Sequence, residues 1–252
     1  MRIAIVFGAA ILIWRLVHRA GDAIFGQDYD RGRHVASAVA VSVLAVATVV
    51  LASRHLDRLP RGGLRRPSPV PLLVGAAGYL IPAGLAVAGC LAMSWLDIDS
   101  DGSLIATVPA LIVLVLLYEA LPEELIFRGY LYRNLAAALP AWGAVIVQAV
   151  LFTLFGMAVG AAGSAGRIVL LFGFAVVQGA IRAVTGTVGA AVGFHLAFQT
   201  AEQIVGPSWH GFTVDDLGLL QQVALGLVPL AVGVPVVRLL WRRVAGLPRR
   251  VG

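Results

Sequence analysis

The sequence predicts an all-α fold, a polytopic transmembrane bundle of about eight helices. Three observations predict it. The chain is 60% hydrophobic and 13% charged, where soluble domains run at about 45–50% and 25%. Its mean hydropathy is +0.91. Apolar runs approaching the ~20 residues of a spanning helix recur between polar breaks, with no internal repeat and no linker long enough to separate soluble domains.

The runs follow in order. Ile3–Val17 is short and interrupted by Arg15, so it either spans or lies along the membrane surface. No small-residue cleavage site follows it, and it is expected to be retained. His34–Ser53 is rich in Ala and Val, and Pro69–Trp95 is long and carries Pro82. Leu104–Leu121 leads directly into ALPEELIFRG, Ala120–Gly129. Pro140–Val159, Ile168–Val184, Val188–Ile204 and Leu217–Leu240 complete the set. Trp95 and Trp241 near span ends read as interfacial anchors. Residues 1–68 thus form N-terminal accessory segments with an Arg-rich loop, 69–240 a core, and 241–252 a basic tail.

Charge orients the bundle. The net charge is +6 and all 19 basic residues are Arg, with a pI near 10.4. In a membrane protein such residues mark topology before they mark nucleic acid, so no nucleic-acid partner is expected. Arg54, Arg58, Arg61, Arg65 and Arg66 crowd one loop; Arg242, Arg243, Arg249 and Arg250 crowd the C-terminus; the loop Leu96–Ser103 has no Arg. An even number of spans between the two clusters places both on one side, so the C-terminus is expected in the cytoplasm. Arg15, Arg19, Arg31 and Arg33 break the rule, falling outside if the first run spans. The single cysteine, Cys90, excludes an internal disulfide and a cysteine zinc site, and reads as a small buried hydrophobe.

Charges in hydrocarbon cost roughly 2.5–3.5 kcal/mol each on the insertion scale, so they point to function. Glu124 and Arg128 are four apart with the acid first, the favoured order for a helical ion pair. Glu123 lies about 100° around the helix, on a face with Glu119 and Phe127. Arg128 is therefore expected to neutralise Glu124 and leave Glu123 facing a cavity. Pro122 fits the first turn of a restarted helix, where carboxylates meet the helix dipole. With a turn at Ala138–Trp142, Glu123 and Gly156 come level, roughly 25 Å from the turn at 1.5 Å per residue. Downstream, His195, Gln199 and Glu202 share a helix face. His210, Asp215 and Asp216 fall in the next loop and read as solvated.

The stretch PEELIFRGYLYRNL resembles the signature of the CPBP family of intramembrane proteases, which includes type II CAAX prenyl endopeptidases and bacteriocin-processing relatives. Glu123, Glu124 and Arg128 match its first element, E-E-x-x-x-R. FGFAVVQGAIRAVTGTVGAAVGFHLAFQT resembles the segment carrying its last histidine, here His195, within a motif region of 104–205. Two positions depart. Phe152 fits the second element, but the histidine four residues later is Gly156, and the final Asn or Asp is Gln199.

The resemblance implies an intramembrane endopeptidase in a plasma membrane, expected to be bacterial, acting on a peptide or protein substrate beside the lipid bilayer. Glu123 would activate a water, His195 and Gln199 would stabilise the oxyanion, and Glu124–Arg128 would scaffold them. By family resemblance a zinc ion is conceivable, with Glu123 and His195 as its ligands, although the second histidine is absent. Glu119, Gln148 and Glu202 are candidates to replace it. The alternative is a catalytically degenerate member that binds peptides or membrane partners. A transporter lacks support, having no inverted repeat, and a purely structural Glu124–Arg128 pair leaves Glu123 unexplained.

Overall fold

The computed structural model describes residues 1–26, 30–57, 68–100, 104–205 and 212–245. Arg58, Arg61, Arg65, Arg66, His210, Arg249 and Arg250 lie outside the described residues. Among the described residues eight helices make up the bundle. They are α1 (Arg2–Phe25), α2 (Arg31–His55), α3 (Val70–Ala92), α4 (104–136), α5 (Ala141–Ala158), α6 (Ala165–Thr185), α7 (Val188–Ile204) and α8 (Leu219–Val244). Six of them are individually long and apolar enough to cross a membrane. Large apolar side chains such as Leu12, Val39, Leu85 and Val169 stand exposed on the outside, as a lipid-facing surface requires.

The first apolar run extends past its expected end at Val17, and of its two open readings the structure favours the spanning one: α1 continues to Phe25 and reaches spanning length. It packs into the bundle rather than along a surface, burying Val6, Ala10, Ile13 and Trp14, with the Trp14 ring edge-on to Phe155 at 5.1 Å. Arg15 does not break it because its side chain is exposed along a cavity rather than set in hydrocarbon. Nor does a helix restart at Pro122. Ala120 keeps helical angles, φ −63° and ψ −48°, and α4 runs unbroken through the proline. Two π-helical turns, Leu116–Ala120 and Leu125–Leu131, flank the four residues Leu121–Glu124. The wider turns absorb the proline's missing donor and re-aim the side chains that follow, the usual place of π-turns being a functional site. Glu123 and Glu124 are thus mid-helix, not at a helix N-terminus.

Small residues set the tightest packing. α3 and α7 meet where Gly75 faces Ala190 and Gly193 faces Leu72; a Cβ on either glycine would stand 1.9 Å from a carbonyl oxygen of the other helix. Membrane helices approach this closely through glycine, since lipid supplies no hydrophobic drive and van der Waals contact must do so. Tyr79 of α3 donates to the Leu225 carbonyl of α8 at 2.9 Å. On the other side, the Ser42 hydroxyl of α2 bonds the Leu117 carbonyl of α4.

A short antiparallel ribbon, β1 (Ile98–Ser100) with β2 (Phe212–Val214), joins the connections before α4 and before α8. Asp215 and Asp216 are exposed, as expected, yet engaged. Asp215 accepts from the Asp97 amide at 2.9 Å, and Asp216 accepts from the Leu219 amide at 2.8 Å at the start of α8. That Asp97 amide holds the Asp215 carboxyl below its ordinary value.

Replacing Gly193 by Ala forces α3 and α7 apart, because backbone cannot rotate away as a side chain can. The expected loss is about 2–3 kcal/mol, the upper part of the overpacking range, read as a lowered unfolding midpoint in detergent. Gly84→Ala, where nothing lies within 4 Å, leaves the midpoint unchanged or slightly raised.

Candidate active site

The motif glutamates, the motif arginine and the α7 histidine converge inside the bundle. Glu124 and Arg128 have no solvent exposure, His195 has 3% and Glu123 has 8%. Arg128 Nη1 donates to Glu124 Oε1 at 3.0 Å, and Nη2 donates to the Ala175 carbonyl of α6 at 3.4 Å. The guanidinium lies 4.5 Å from the centre of the Phe152 ring on α5, a cation–π contact in a water-poor site. One arginine therefore ties α4 to α5 and α6.

Glu124 Oε1 has a second partner, His195 Nδ1 at 2.9 Å. A carboxylate paired with a guanidinium can only accept, so Nδ1 carries the imidazole proton. Nε2 is left with a lone pair, and it stands 4.0 Å from Glu123 Oε2. The edge-on ring of Phe174, 4.8 Å away, fixes the other face of the imidazole. Glu124 is thus shared between the arginine expected to neutralise it and the histidine, and that second bond is one the helix spacing did not reveal.

Glu123 and His195 open onto a cavity of about 570 Å³, well within the range of small-ligand and peptide-subsite pockets. Gln199 and Glu119 also line it. Gln199 stands one turn beyond His195, and Glu119 accepts from Gln203 at 2.7 Å. Gly156 lines the same cavity, at the level the hairpin arithmetic placed it, but the room beside it is occupied. A Cβ there would meet Leu171 Cδ1 at 2.8 Å.

Of the three candidates to replace the missing histidine, only Glu119 reaches this cavity. Gln148 points away, donating to the Val145 and Ala175 carbonyls at 3.0 and 2.7 Å between α5 and α6. It is four residues nearer the start of α5 than Phe152, and its azimuth leads to α6. Glu202 is absent from the cavity lining. Residues the sequence reading did not place here are Trp14, Arg15, His18 and Arg19 of α1 and Arg167 of α6, all of which line the cavity. The signal for the α1 set was present, because Arg15 and Arg19 break the charge rule one helical turn apart.

The donors do not fit a zinc ion. Structural and catalytic zinc take at least three protein ligands. Here the single imidazole already bonds Glu124 through Nδ1, Gly156 offers nothing, and Glu123 with Nε2 makes two. Among the described residues no group of three or more His, Cys, Asp or Glu is arranged to hold a metal.

Residues 105–201 match the family model described as Type II CAAX prenyl endopeptidase Rce1-like, a stretch running from α4 through most of α7. The chain therefore carries an Rce1-like domain, which comprises every residue of the Glu124–Arg128–His195 network. No curated protein and no solved structure matches the chain.

Removing one partner of a buried pair costs more than removing both, since the survivor stays charged and unpaired. Arg128→Met is expected to lower stability by about 3–5 kcal/mol. Adding Glu124→Gln to it restores part of that loss, a non-additivity measured by a double-mutant cycle on unfolding midpoints.

Proposed function

We propose that this chain, with its Rce1-like type II CAAX prenyl endopeptidase domain at residues 105–201, is an intramembrane endopeptidase in which Glu123 and His195 share the activation of one water. The observation that carries the reading is the 4.0 Å gap between His195 Nε2 and Glu123 Oε2 at the wall of the cavity. It is too long for a direct hydrogen bond and suits a water bonded to both. Such a water donates one O–H to the carboxylate and the other to the Nε2 lone pair, and its own lone pair is then free to attack.

The proton balance closes on Glu123. Water oxygen bonds the scissile carbonyl carbon as its proton passes to Glu123. The tetrahedral oxyanion collapses, the C–N bond breaks, and Glu123 returns the proton to the departing amine. The Gln199 amide, one turn from His195, supplies a donor for the oxyanion. Glu124 and Arg128 are positioning residues: they hold the tautomer and angle of His195 without touching substrate. Here His195 takes over water-holding from the histidine replaced by Gly156, a different duty from the oxyanion role that the resemblance implies. Residues 1–68 are read as accessory spans around the 69–240 core, in a plasma membrane with the C-terminus cytoplasmic.

A second reading is favoured by Leu171, whose side chain fills the room beside Gly156. On that reading the chain binds peptides or membrane partners without cleaving them.

Cleavage of a transmembrane-anchored peptide by the purified protein separates the two. Glu123→Gln is expected to reduce cleavage by about 10²–10⁴-fold, the usual weight of a general base, with the unfolding midpoint maintained. Gly156→His combined with Leu171→Ala, which clears room for the ring, is expected to change the rate severalfold at most. Cleavage that appears only in that double variant would sink the water-sharing mechanism and establish the degenerate reading.

A further inference from the structure

We propose that the cavity is entered from the extracytoplasmic side through a cationic mouth formed by Arg15, Arg19 and Arg167, and that this mouth selects a peptide segment bearing carboxylates. The proposal deepens the endopeptidase reading and rests on it for calling that peptide a substrate.

The direction of entry follows from which helix ends line the cavity. Arg15, His18 and Arg19 come from the C-terminal half of α1, Gly160 and Ala161 from the α5–α6 connection, and Arg167 from the first turn of α6. All lie at one end of the bundle, the end that carries the β1–β2 ribbon. The opposite end receives the α2–α3 and α4–α5 connections and the C-terminal end of α8. In sequence, the segment from the end of α2 to α3 carries Arg54, Arg58, Arg61, Arg65 and Arg66, the ends of α4 and α6 carry Arg133 and Arg182, and the chain after Leu240 carries the C-terminal arginines. The segments leading into α4 and α8 carry Asp97, Asp99, Asp101, Asp215 and Asp216. The excess of arginine assigns the far end to the cytoplasm and the cavity end to the outside.

The exceptions to this asymmetry give the mouth its chemistry. At the outer end, Arg33 is committed to the Asp22 carboxylate and the Gly26 carbonyl. Arg15, Arg19 and Arg167 are exposed and line the cavity instead. Arg15 and Arg19 are one turn apart, and among the described residues neither has a side-chain hydrogen bond or ion pair. Arg167 has Glu119 and Glu202 within electrostatic reach. The neighbouring His18 faces Asp22 at 3.5 Å. Three of the arginines that run against topology, Arg15, Arg19 and Arg167, thus stand around the opening, whereas Arg31 and Arg33 do not line it. A guanidinium fork is matched to a carboxylate in two parallel hydrogen bonds, and several converging on one opening favour an acidic segment over a neutral one.

Two measurements on the full chain test this, and neither requires cleavage. In a Cys90→Ala background, Gly163→Cys places a thiol in the exposed α5–α6 turn, and Ala138→Cys places one in the exposed turn at the opposite end. In spheroplasts of a bacterial host, a membrane-impermeant maleimide is expected to label Gly163→Cys and to reach Ala138→Cys only after permeabilisation. The reverse pattern overturns the proposal. In nanodiscs of zwitterionic lipid, the Glu123→Gln protein is then titrated with two fluorescent peptides matched in length and apolar content. One bears an Asp/Glu cluster and the other Asn/Gln in its place. The acidic peptide is expected to bind on the order of tenfold tighter, a preference that charge-assisted pairs supply and that Arg15→Gln/Arg19→Gln/Arg167→Gln abolishes. Equal binding, or a preference that survives the triple substitution, overturns the proposal. So does a triple substitution that weakens only binding to vesicles of anionic lipid, because the mouth then reads a headgroup. Loss of the endopeptidase reading has a different signature: cleavage unaffected by Glu123→Gln, with labelling and peptide preference intact.

Discussion

The carboxylate of Glu124 is the constraint on which the rest of the site depends. One oxygen accepts from Arg128 on its own helix and from His195 on α7. Both charges are fully buried, where each costs roughly 2.5–3.5 kcal/mol on the insertion scale. Pairing offsets much of that cost but not all of it: Glu124 Oε2 and Arg128 Nε have no partner among the described residues. A well-packed apolar pair would serve stability as well or better. Stability therefore does not account for the pair. Its other effect does, because an ionised, immobile acceptor at Nδ1 decides which imidazole nitrogen faces Glu123.

That orientation is also a matter of backbone packing. His195 lies two residues beyond Gly193, whose missing side chain lets α7 touch the α3 backbone at Leu72. Phe194, between them, packs edge-on to Tyr79 at 5.5 Å. The depth of His195 is accordingly set from one side by α3 and from the other by Phe174 of α6, while α4 brings the two glutamates. Four helices fix one imidazole. A shift of α7 by even a fraction of a turn would break the 2.9 Å contact of Nδ1 with Glu124 and carry Nε2 away from Glu123.

Much of this was legible in the sequence, and what was not has physical reasons. Hydrophobic run lengths located the helices, since lipid requires every span to satisfy its own backbone. The i,i+4 spacing of Glu124 and Arg128 gave their pairing, and equal distances from Pro140 put Glu123 and Gly156 on the same cavity. Spacing within one helix could not reveal His195 as a partner of Glu124, which depends on how α4 and α7 are rotated against each other. Pro122 misled for a related reason: a proline normally ends a helix, and only the π-turns on either side let α4 continue. The role of α1 was hidden by Arg15, which reads as an interruption of an apolar run until the cavity beside it is known. Gln148 failed as a candidate because an azimuth on α5 says nothing of which neighbour occupies that side.

Gly156 carries the remaining tension in the site. With the histidine of the resembled pattern present, Glu123 would have an imidazole on α5 and another on α7. Here the α5 position is apolar, and Leu171 of α6 leans into it. The wall beside Gly156 is therefore apolar, while α4 and α7 supply Glu119, Glu123, His195 and Gln199 and the arginines of α1 and α6 stand at the mouth. Loss of a ligand and preservation of a reaction are compatible when the surviving groups hold the same atom. On the proposed mechanism the 4.0 Å separation would meet that condition, with His195 held from behind by Glu124 and Phe174 and Glu123 carried on the unbroken α4.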